Sequence, residues 1–347
     1  MMKNLRVGRP WSSRQRILGV IATGVLLALL IALAWRYTRP TAAVVAPLPL
    51  TLALPVQAAS GAFFVAEQRQ LFPQHGLVLQ TQRYALGKQA LAAVIEGRAD
   101  MAVVADTPFV LAIAKGNQVA VVSTVFGSRK TAALLVRADR GMRTAADLRG
   151  RRIGTVFGTN AQYFLDKLLE HQGIAAHEVS IVDYAPAALL TAMRDGEVDA
   201  ITTWQPELAR LQQALGKKVA ALFEQDLFVY RFLLVGKVEF IDSHQQEIQR
   251  LLAALADTQQ YMLDQPLDAR QTVAAAVGLP PELMSSFFEP VDYGLSLDQS
   301  LLLALDDQTR WARQRQIITN RAVPNYLDYL RPQPLQAVLP SAISIIR

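Results

Sequence analysis

The sequence predicts a two-lobed α/β protein, because a strand–helix–strand–helix–strand pattern is written twice and both copies carry the same landmark. The first copy runs strand 50–55, helical pattern 62–71, a stop at Phe72-Pro-Gln-His-Gly76, and strand 77–82. It continues with helix 88–96, a Gly97 cap and the apolar strand 101–105. The second copy runs strand 152–156, helix 161–172, Gly173 as the stop, strand 179–183, helix 187–195, Gly196 and strand 199–203. The landmark is Glu96-Gly97-Arg98-Ala99-Asp100 in one copy and Asp195-Gly196-Glu197-Val198-Asp199 in the other, 99 residues later. His75-Gly76 precedes the first landmark glycine by 21 residues, and Gln172-Gly173 precedes the second by 23. Glycine supplies the left-handed helix stop, and the aspartate stands at the entrance of a strand, as a parallel sheet requires.

After Tyr230 a strand at 232–235 leads into helical patterns at 243–263, 267–277, 281–288 and 297–316, with Pro280 and Pro281 opening the third. These helices bring no strands, so they must cover a sheet already built. The expected lobe 1 is therefore 50–134 plus 236–330, and lobe 2 is 135–235. Two crossings, near Leu135 and Val235, define a hinge. Residues 331–347 hold three prolines and are assigned no fold.

At 347 residues, 52% apolar and 18% charged, the chain is neither a disordered tail nor a coiled coil. The formal charge of +6 is local: residues 1–39 hold seven of the 35 basic residues and no acid, leaving 28 basic against 29 acidic beyond. A near-neutral body without a basic aromatic stripe excludes nucleic acid as a partner. The absence of cysteine excludes disulfides, zinc-thiolate sites, a thiol nucleophile and a lipid-modified N-terminal cysteine. Residues 17–35 are nineteen uncharged positions preceded by five basic ones. They are expected to form a transmembrane anchor, with 1–16 cytoplasmic, 36–49 a linker and the bulk of the chain extracytoplasmic. Ala32-Leu33-Ala34 makes a cleaved signal segment the alternative.

Open α/β sheets take ligands where strand C-terminal ends meet helix N-termini. Five such places follow from the pattern: Gln57-Ala-Ala-Ser60-Gly61, Gly87-Lys88, Asp106-Thr107-Pro108, Phe157-Gly158-Thr159-Asn160 and Trp204-Gln205-Pro206-Glu207. Gly158 allows close backbone approach, and Thr159 or Asn160 offers polar groups at a helix start, either to a ligand or as an ordinary cap. Trp204 can stack on a ligand or pack a lobe, and Glu207 can accept from an amine or simply favour its own helix start. Lys88 either counters an anion or stays solvated, and Tyr230 either closes over the cleft or packs at the hinge. No G-x-S-x-G, P-loop or G-x-G-x-x-G motif is present, and the four histidines lack H-x-x-x-H spacing. The expectation is a binder, with no catalytic residue, metal or cofactor.

The run F-P-x-x-G-L at 72–77, D-L-R-G-R-R-I-G at 147–154, G-T-N at 158–160, G-E-V-D-A at 196–200 and W-Q-P-E at 204–207 resembles the periplasmic solute-binding proteins of the nitrate/taurine/sulfonate group, which includes binders of thiamine-pyrimidine precursors. The resemblance spans about residues 50–265. It implies a type II periplasmic-binding-protein fold, two lobes closing on a small ligand, and delivery to the permease and ATPase subunits of an ABC importer. Carried over, it implies ligand contacts from Ser60, Gly61, Gly87, Lys88, Asp106, Thr107, Gly158, Thr159, Asn160, Ala161, Trp204 and Glu207. Asp106 departs from the pattern by putting an acid near a pocket often used for anions. The expected ligand is a small sulfonate-like or zwitterionic molecule, its anionic end at Thr159, Asn160 and Lys88 and any amine at Glu207 or Asp106. The alternatives are an aminopyrimidine held between Trp204 and Tyr230, or a membrane-tethered sensor that transports nothing. Pyrimidine synthases of the same fold depend on a cysteine-containing site, which this chain lacks.

Overall fold

In the computed structural model, which describes residues 47–224, 226–284, 293–319 and 322–346, the chain builds two five-stranded sheets of matching topology. The first lobe begins with β1 (Leu48–Pro55), α1 (Gly61–Gln68), β2 (Leu77–Tyr84), α2 (Gly87–Ile95), β3 (Met101–Ala105), α3 (Asp106–Ala114) and β4 (Val119–Ser128). The second lobe comprises β5 (Ala132–Arg137), β6 (Arg152–Thr155), α4 (Asn160–His171), β7 (Ser180–Asp183), α5 (Leu189–Arg194), β8 (Ala200–Trp204), α6 (Glu207–Leu215) and β9 (Val219–Leu222). The chain then returns through β10 (Tyr230–Lys237) to α7 (Gln245–Asp264), α8 (Pro266–Val277), α9 (Gln299–Gln314) and α10 (Gln333–Val338).

The strand orders are β2-β1-β3-β10-β4 and β7-β6-β8-β5-β9. In each sheet the first three strands are parallel and the fourth runs antiparallel to its neighbours. Strand β3 is buried along its whole length, as an apolar run covered by helices on both faces should be.

The repeated landmark folds identically in both lobes. Gly97 and Gly196 take φ values of 77° and 76°, which only glycine adopts without strain. The Asp100 amide then donates to the Thr51 carbonyl at 3.0 Å, and the Thr51 amide donates back to Asp100 Oδ2 at 2.7 Å. In the second lobe the Asp199 amide donates to the Arg152 carbonyl at 2.7 Å, and the Arg152 amide donates back to Asp199 Oδ2 at 3.1 Å. Each aspartate thus satisfies a backbone donor where the central parallel ladder starts. Partial burial raises the Asp199 carboxyl, but that amide and the Arg140 guanidinium hold it below its usual range.

The crossings fall at 129–131 and 223–229, ahead of the expected Leu135 and Val235. Residues 132–134, assigned by sequence to lobe 1, pair with Trp204, Thr203 and Thr202 of β8. Residues 230–235, assigned to lobe 2, pair with β4, and 232–235 also with β3. The reason is that 119–137 reads as one β-rich stretch interrupted only around Gly127 to Lys130, so its division between two sheets leaves little local trace.

Helices α7 and α8 pack on α1, and α9 packs on α3, covering the first sheet as expected. The helical pattern at 281–288 is described only as the turn Pro281–Met284, and the remainder lies outside the described residues. The 331–347 segment does acquire structure. It forms α10, which packs on α7, and the two-residue strand Ile343–Ser344, which pairs in parallel with Leu297–Asp298. Leu330 bridges Val121 of β4, and the Arg331 guanidinium meets Asp242 at 3.0 Å. Of the expected linker, Leu48 and Pro49 already belong to β1. The expected anchor at 17–35 and the basic segment before it lie outside the described residues. Among those described, no helix is long and apolar enough to cross a membrane.

Away from the cleft the lobes are joined by one face of α4 against α9. Tyr163 donates to Asp307, and Asp166 accepts from the Trp311 indole at 2.8 Å and from the Arg315 Nε at 2.8 Å. Tyr163 also meets Trp311 edge to face at 5.2 Å, and Phe228, on the return crossing, at 5.4 Å. The Asp166 side chain is only 5% exposed, so its removal strands a cation and an indole donor. Asp166→Ala should therefore lower unfolding free energy by about 3 kcal/mol or more in urea titration. A loss below about 1 kcal/mol would show that the pair is solvated and does not hold the lobes.

Candidate functional site

Between the lobes lies a cavity of about 20 Å³, lined by Gln57, Leu86, Gly87, Lys88, Ala105, Pro108, Tyr230 and Phe232 from the first sheet and its helices, and by Thr159, Asn160 and Trp204 from the second. That volume holds about one water, whereas pockets for organic ligands are commonly several hundred Å³. The lobes are therefore drawn together, and a larger guest requires them to part.

The end of β3 supplies the central group. Asp106 opens α3, where a carboxylate complements the helix dipole, yet it is completely buried. Its Oδ1 accepts from its neighbour's amide at Thr107, 3.0 Å away, and from Asn160 Nδ2 across the cleft at 2.6 Å. Its Oδ2 has no partner within strict hydrogen-bond geometry, though the Gln308 amide acts on the same carboxylate. Burial pushes the Asp106 carboxyl up, opposed by the charge of Arg231, by the Asn160 and Gln308 amides and by the Thr107 amide. Burial also raises the Tyr230 phenol, with the Asp106 charge adding to it. Thr107 is turned from the cavity, its hydroxyl donating to Gln308 Oε1 of α9 at 2.6 Å.

The start of α4 shows how capping and binding compete for the same atoms. Gly158 adopts φ +69°, and its amide donates to Gln162 Oε1 at 2.8 Å. The Thr159 hydroxyl donates to the Val156 carbonyl at 2.6 Å and accepts from the Ala161 amide at 3.2 Å. The expectation that this hydroxyl and these amides face a ligand is therefore corrected: they close the helix start. Asn160 alone presents a polar group, its Oδ1 unpartnered, while Ala161 is buried.

The first-lobe helix starts are more occupied than expected. Ser60 is buried with an unpartnered Oγ, but neither it nor Gly61 lines the cavity. A Cβ at Gly61 would fall 2.6 Å from the Tyr293 hydroxyl, which donates to the Ala58 carbonyl, so a tyrosine covers this helix start. Gly87 is needed for packing, since a Cβ there would lie 3.2 Å from the Val104 Cα. Lys88 lines the cavity and donates across the cleft to the Phe157 carbonyl at 3.0 Å.

Trp204 stands in the cavity wall at 2% exposure, so it packs its lobe and faces the cleft at once. Glu207 does neither of the things expected of a ligand contact: it lies outside the cavity lining, and its carboxylate pairs with Arg210 at 2.6 Å, one turn along α6. Tyr230 combines both of its alternatives, lining the cavity and stacking on Phe232 at 5.6 Å beside the return crossing.

Among the described residues, six buried side-chain atoms have no hydrogen-bond partner: Gln57 Oε1, Ser60 Oγ, Asp106 Oδ2, Asn160 Oδ1, Thr203 Oγ1 and Gln308 Nε2. Native interiors rarely leave such groups unpaired, and two of these residues, Gln57 from the first lobe and Asn160 from the second, line the interlobe cavity. Gln57 could have been singled out from its place after strand 1. Gln308 could not, because it meets Thr107 from 201 residues away on an ordinary amphipathic helix.

A model of the family described as NMT1/THI5 like matches residues 57–269. A putative binding protein of Brucella abortus (strain 2308) is 22% identical over 206 residues, 58% of this chain and 63% of that protein. The taurine-binding periplasmic protein of Escherichia coli (strain K12) is 25% identical over 204 residues, 56% of this chain and 60% of that one. The chain thus spans less than two thirds of the length of these relatives. The alkanesulfonate-binding protein SsuA from Xanthomonas axonopodis pv. citri, solved bound to MOPS, superposes with a TM-score of 0.72 at 20% identity, covering 83% of this chain and 99% of that one. That likeness shows the two-lobed periplasmic-binding fold.

Because burial disfavours the ionised form of Asp106, the neutral isostere Asp106→Asn should raise the melting temperature at pH 7. The gain should shrink as pH falls through the raised range of the buried carboxyl towards about 4, and level off below that, where the wild-type carboxyl is protonated in folded and unfolded chains alike. Melting curves from pH 3 to pH 8 test this; a destabilised variant at pH 7, or a gain independent of pH, would contradict it.

Proposed function

The chain belongs to the NMT1/THI5-like family, and on that premise we propose that it is an extracytoplasmic solute-binding protein. Its two lobes close over a small organic ligand and present it to the permease and ATPase subunits of an ABC importer. The observation that carries this reading is the convergence of unpaired, buried polar atoms from both lobes on one interlobe cavity. A binding protein of this kind gains affinity only from contacts made in the closed state, so both lobes must contribute. Asn160 and Trp204 contribute from one side, and Gln57, Lys88, Asp106 and Tyr230 from the other.

The names of the relatives, taurine-binding and alkanesulfonate-binding, support a sulfonate-like or zwitterionic ligand. Lys88 stands where an anionic end would be countered, and the flat faces of Trp204 and Tyr230 suit the body of the ligand. The uncharged 17–35 segment with its basic flank supports a single-pass tether that keeps the protein beside its permease on the outer face of the membrane. The chain binds its ligand without converting it.

Calorimetry and thermal melting of the purified full chain against taurine, alkanesulfonates, nitrate and aminopyrimidines test the reading. A ligand at 100 times its Kd should add about 2.7 kcal/mol of stability. Trp204→Phe should weaken that binding roughly fivefold or more, on the order of 1 kcal/mol. Stability unmoved by every compound, or a new product after incubation, would overturn the proposal.

A further inference from the structure

We propose that the groove between α2 and α3 holds an apolar tail, so that the solute is an amphiphilic organic anion with its charged head at Lys88 and its alkyl chain running outward along these two helices. This rests on the solute-binding reading above and narrows its ligand to anions that carry a chain.

The groove encloses about 400 Å³, within the range of sites for organic molecules, whereas the interlobe cavity holds about 20 Å³. The two adjoin, because Lys88 and Pro108 stand in the walls of both. From Lys88 the groove follows α2 as far as Glu96, about 12 Å at the helical rise per residue. Leu91 and Ile95 of one helix and Leu111 of the other form its walls. Ala92 and Ala112 present only a methyl each, which leaves a channel between helices that otherwise touch. Gly158 roofs the cleft end from the second lobe. A Cβ there would lie 3.8 Å from Leu111 Cδ1, so the missing side chain keeps that end open.

Charge fixes which way round the solute lies. Asp106, the acid beside the cavity, is already met by the Arg231 charge and by the Asn160 and Gln308 amides. Lys88 is the basic residue in the cavity wall, and its ammonium meets a neutral acceptor, the Phe157 carbonyl, at 3.0 Å. That bond crosses between the lobes, so an anion admitted as they part gives Lys88 a charged partner in place of a neutral one. The positive end of the α2 dipole lies at the same end. At the far end Lys115 and Glu96 carry opposite signs, so it is the cleft end that selects an anion. With its head at Lys88, a chain leaves water by lying along Leu91, Ile95 and Leu111. A solute as short as taurine would leave that surface bare.

Calorimetry on the purified full chain would follow the series from ethanesulfonate through butane- and hexane- to octanesulfonate. In a groove open on one side each methylene should tighten binding about twofold, half the effect of complete burial, and so roughly 60-fold across the series. Ala92→Phe, which fills the groove, should bring octanesulfonate to within about fivefold of ethanesulfonate, with ethanesulfonate itself unchanged. Melting checks the fold of that variant; should it not fold, Ile95→Gln at the half-buried rim should cut the gain at least about threefold. Octylammonium, with the same tail and the opposite charge, should bind at least about tenfold more weakly than octanesulfonate. Affinity independent of chain length would overturn the tail site and leave the groove to a protein partner. A length dependence that survives the groove variants, octylammonium as tight as octanesulfonate, or binding of nitrate or an aminopyrimidine but of no sulfonate would also overturn it. Each of these leaves the solute-binding reading intact. Binding by no compound at all would overturn both.

Discussion

Each sheet in this molecule is completed by a strand that chain order assigns to the other half. Strand β10 returns from the second lobe to lie between β3 and β4, and β5 leaves the first lobe to lie between β8 and β9. Both run antiparallel to the parallel core they join, so neither sheet is whole until the chain has crossed. The crossings have to be short and adjacent, and the lobes consequently face each other across the C-terminal ends of β1, β3 and β8. Everything polar in the cleft depends on that placement. Asp106 follows β3 and Asn160 follows β6 by a few residues, and they meet at 2.6 Å only because the exchange brings those two ends together.

The cleft departs from the rules that govern the rest of the interior. Away from it the landmark aspartates are spent on local needs, Asp100 and Asp199 each holding the first amide of a ladder. At the cleft, acceptors are buried without donors, at a cost of about 1–3 kcal/mol each. Such a cost is tolerated where a partner supplied from outside offsets it, and local stability is given up for recognition.

Much of this fold was legible in the sequence because its signals are local. The glycine stops and the paired landmark aspartates lie within a few residues of the structures they define, and the duplicated grammar revealed two lobes. The crossing points were harder, since β4 and β5 follow one another with only a brief break and their separation is decided by pairing partners about 65 to 120 residues away. The site was legible in position and only partly in role. Lys88, Thr159, Asn160, Trp204 and Tyr230 line the cavity and Asp106 is bonded to Asn160 beside it, whereas the Thr159 hydroxyl and the Gly158 amide are spent at the helix start and Glu207 on Arg210. The same residue types cap helices and bind ligands, so spacing alone cannot separate the two. Gln308 and the α4–α9 contact carried no local signal at all.

The strand exchange also sets an order of events during synthesis. The second sheet is drawn from a continuous stretch, residues 132–222, and its partners are all present once that stretch has emerged. The first sheet must wait for β10, and its covering layer for helices beyond residue 245 and the Ile343–Ser344 strand that clasps Leu297–Asp298. The central lobe can therefore mature while β1 to β4 are still an incomplete sheet with an open edge. A chain made in this order has a long interval in which its first half is the part most in need of protection.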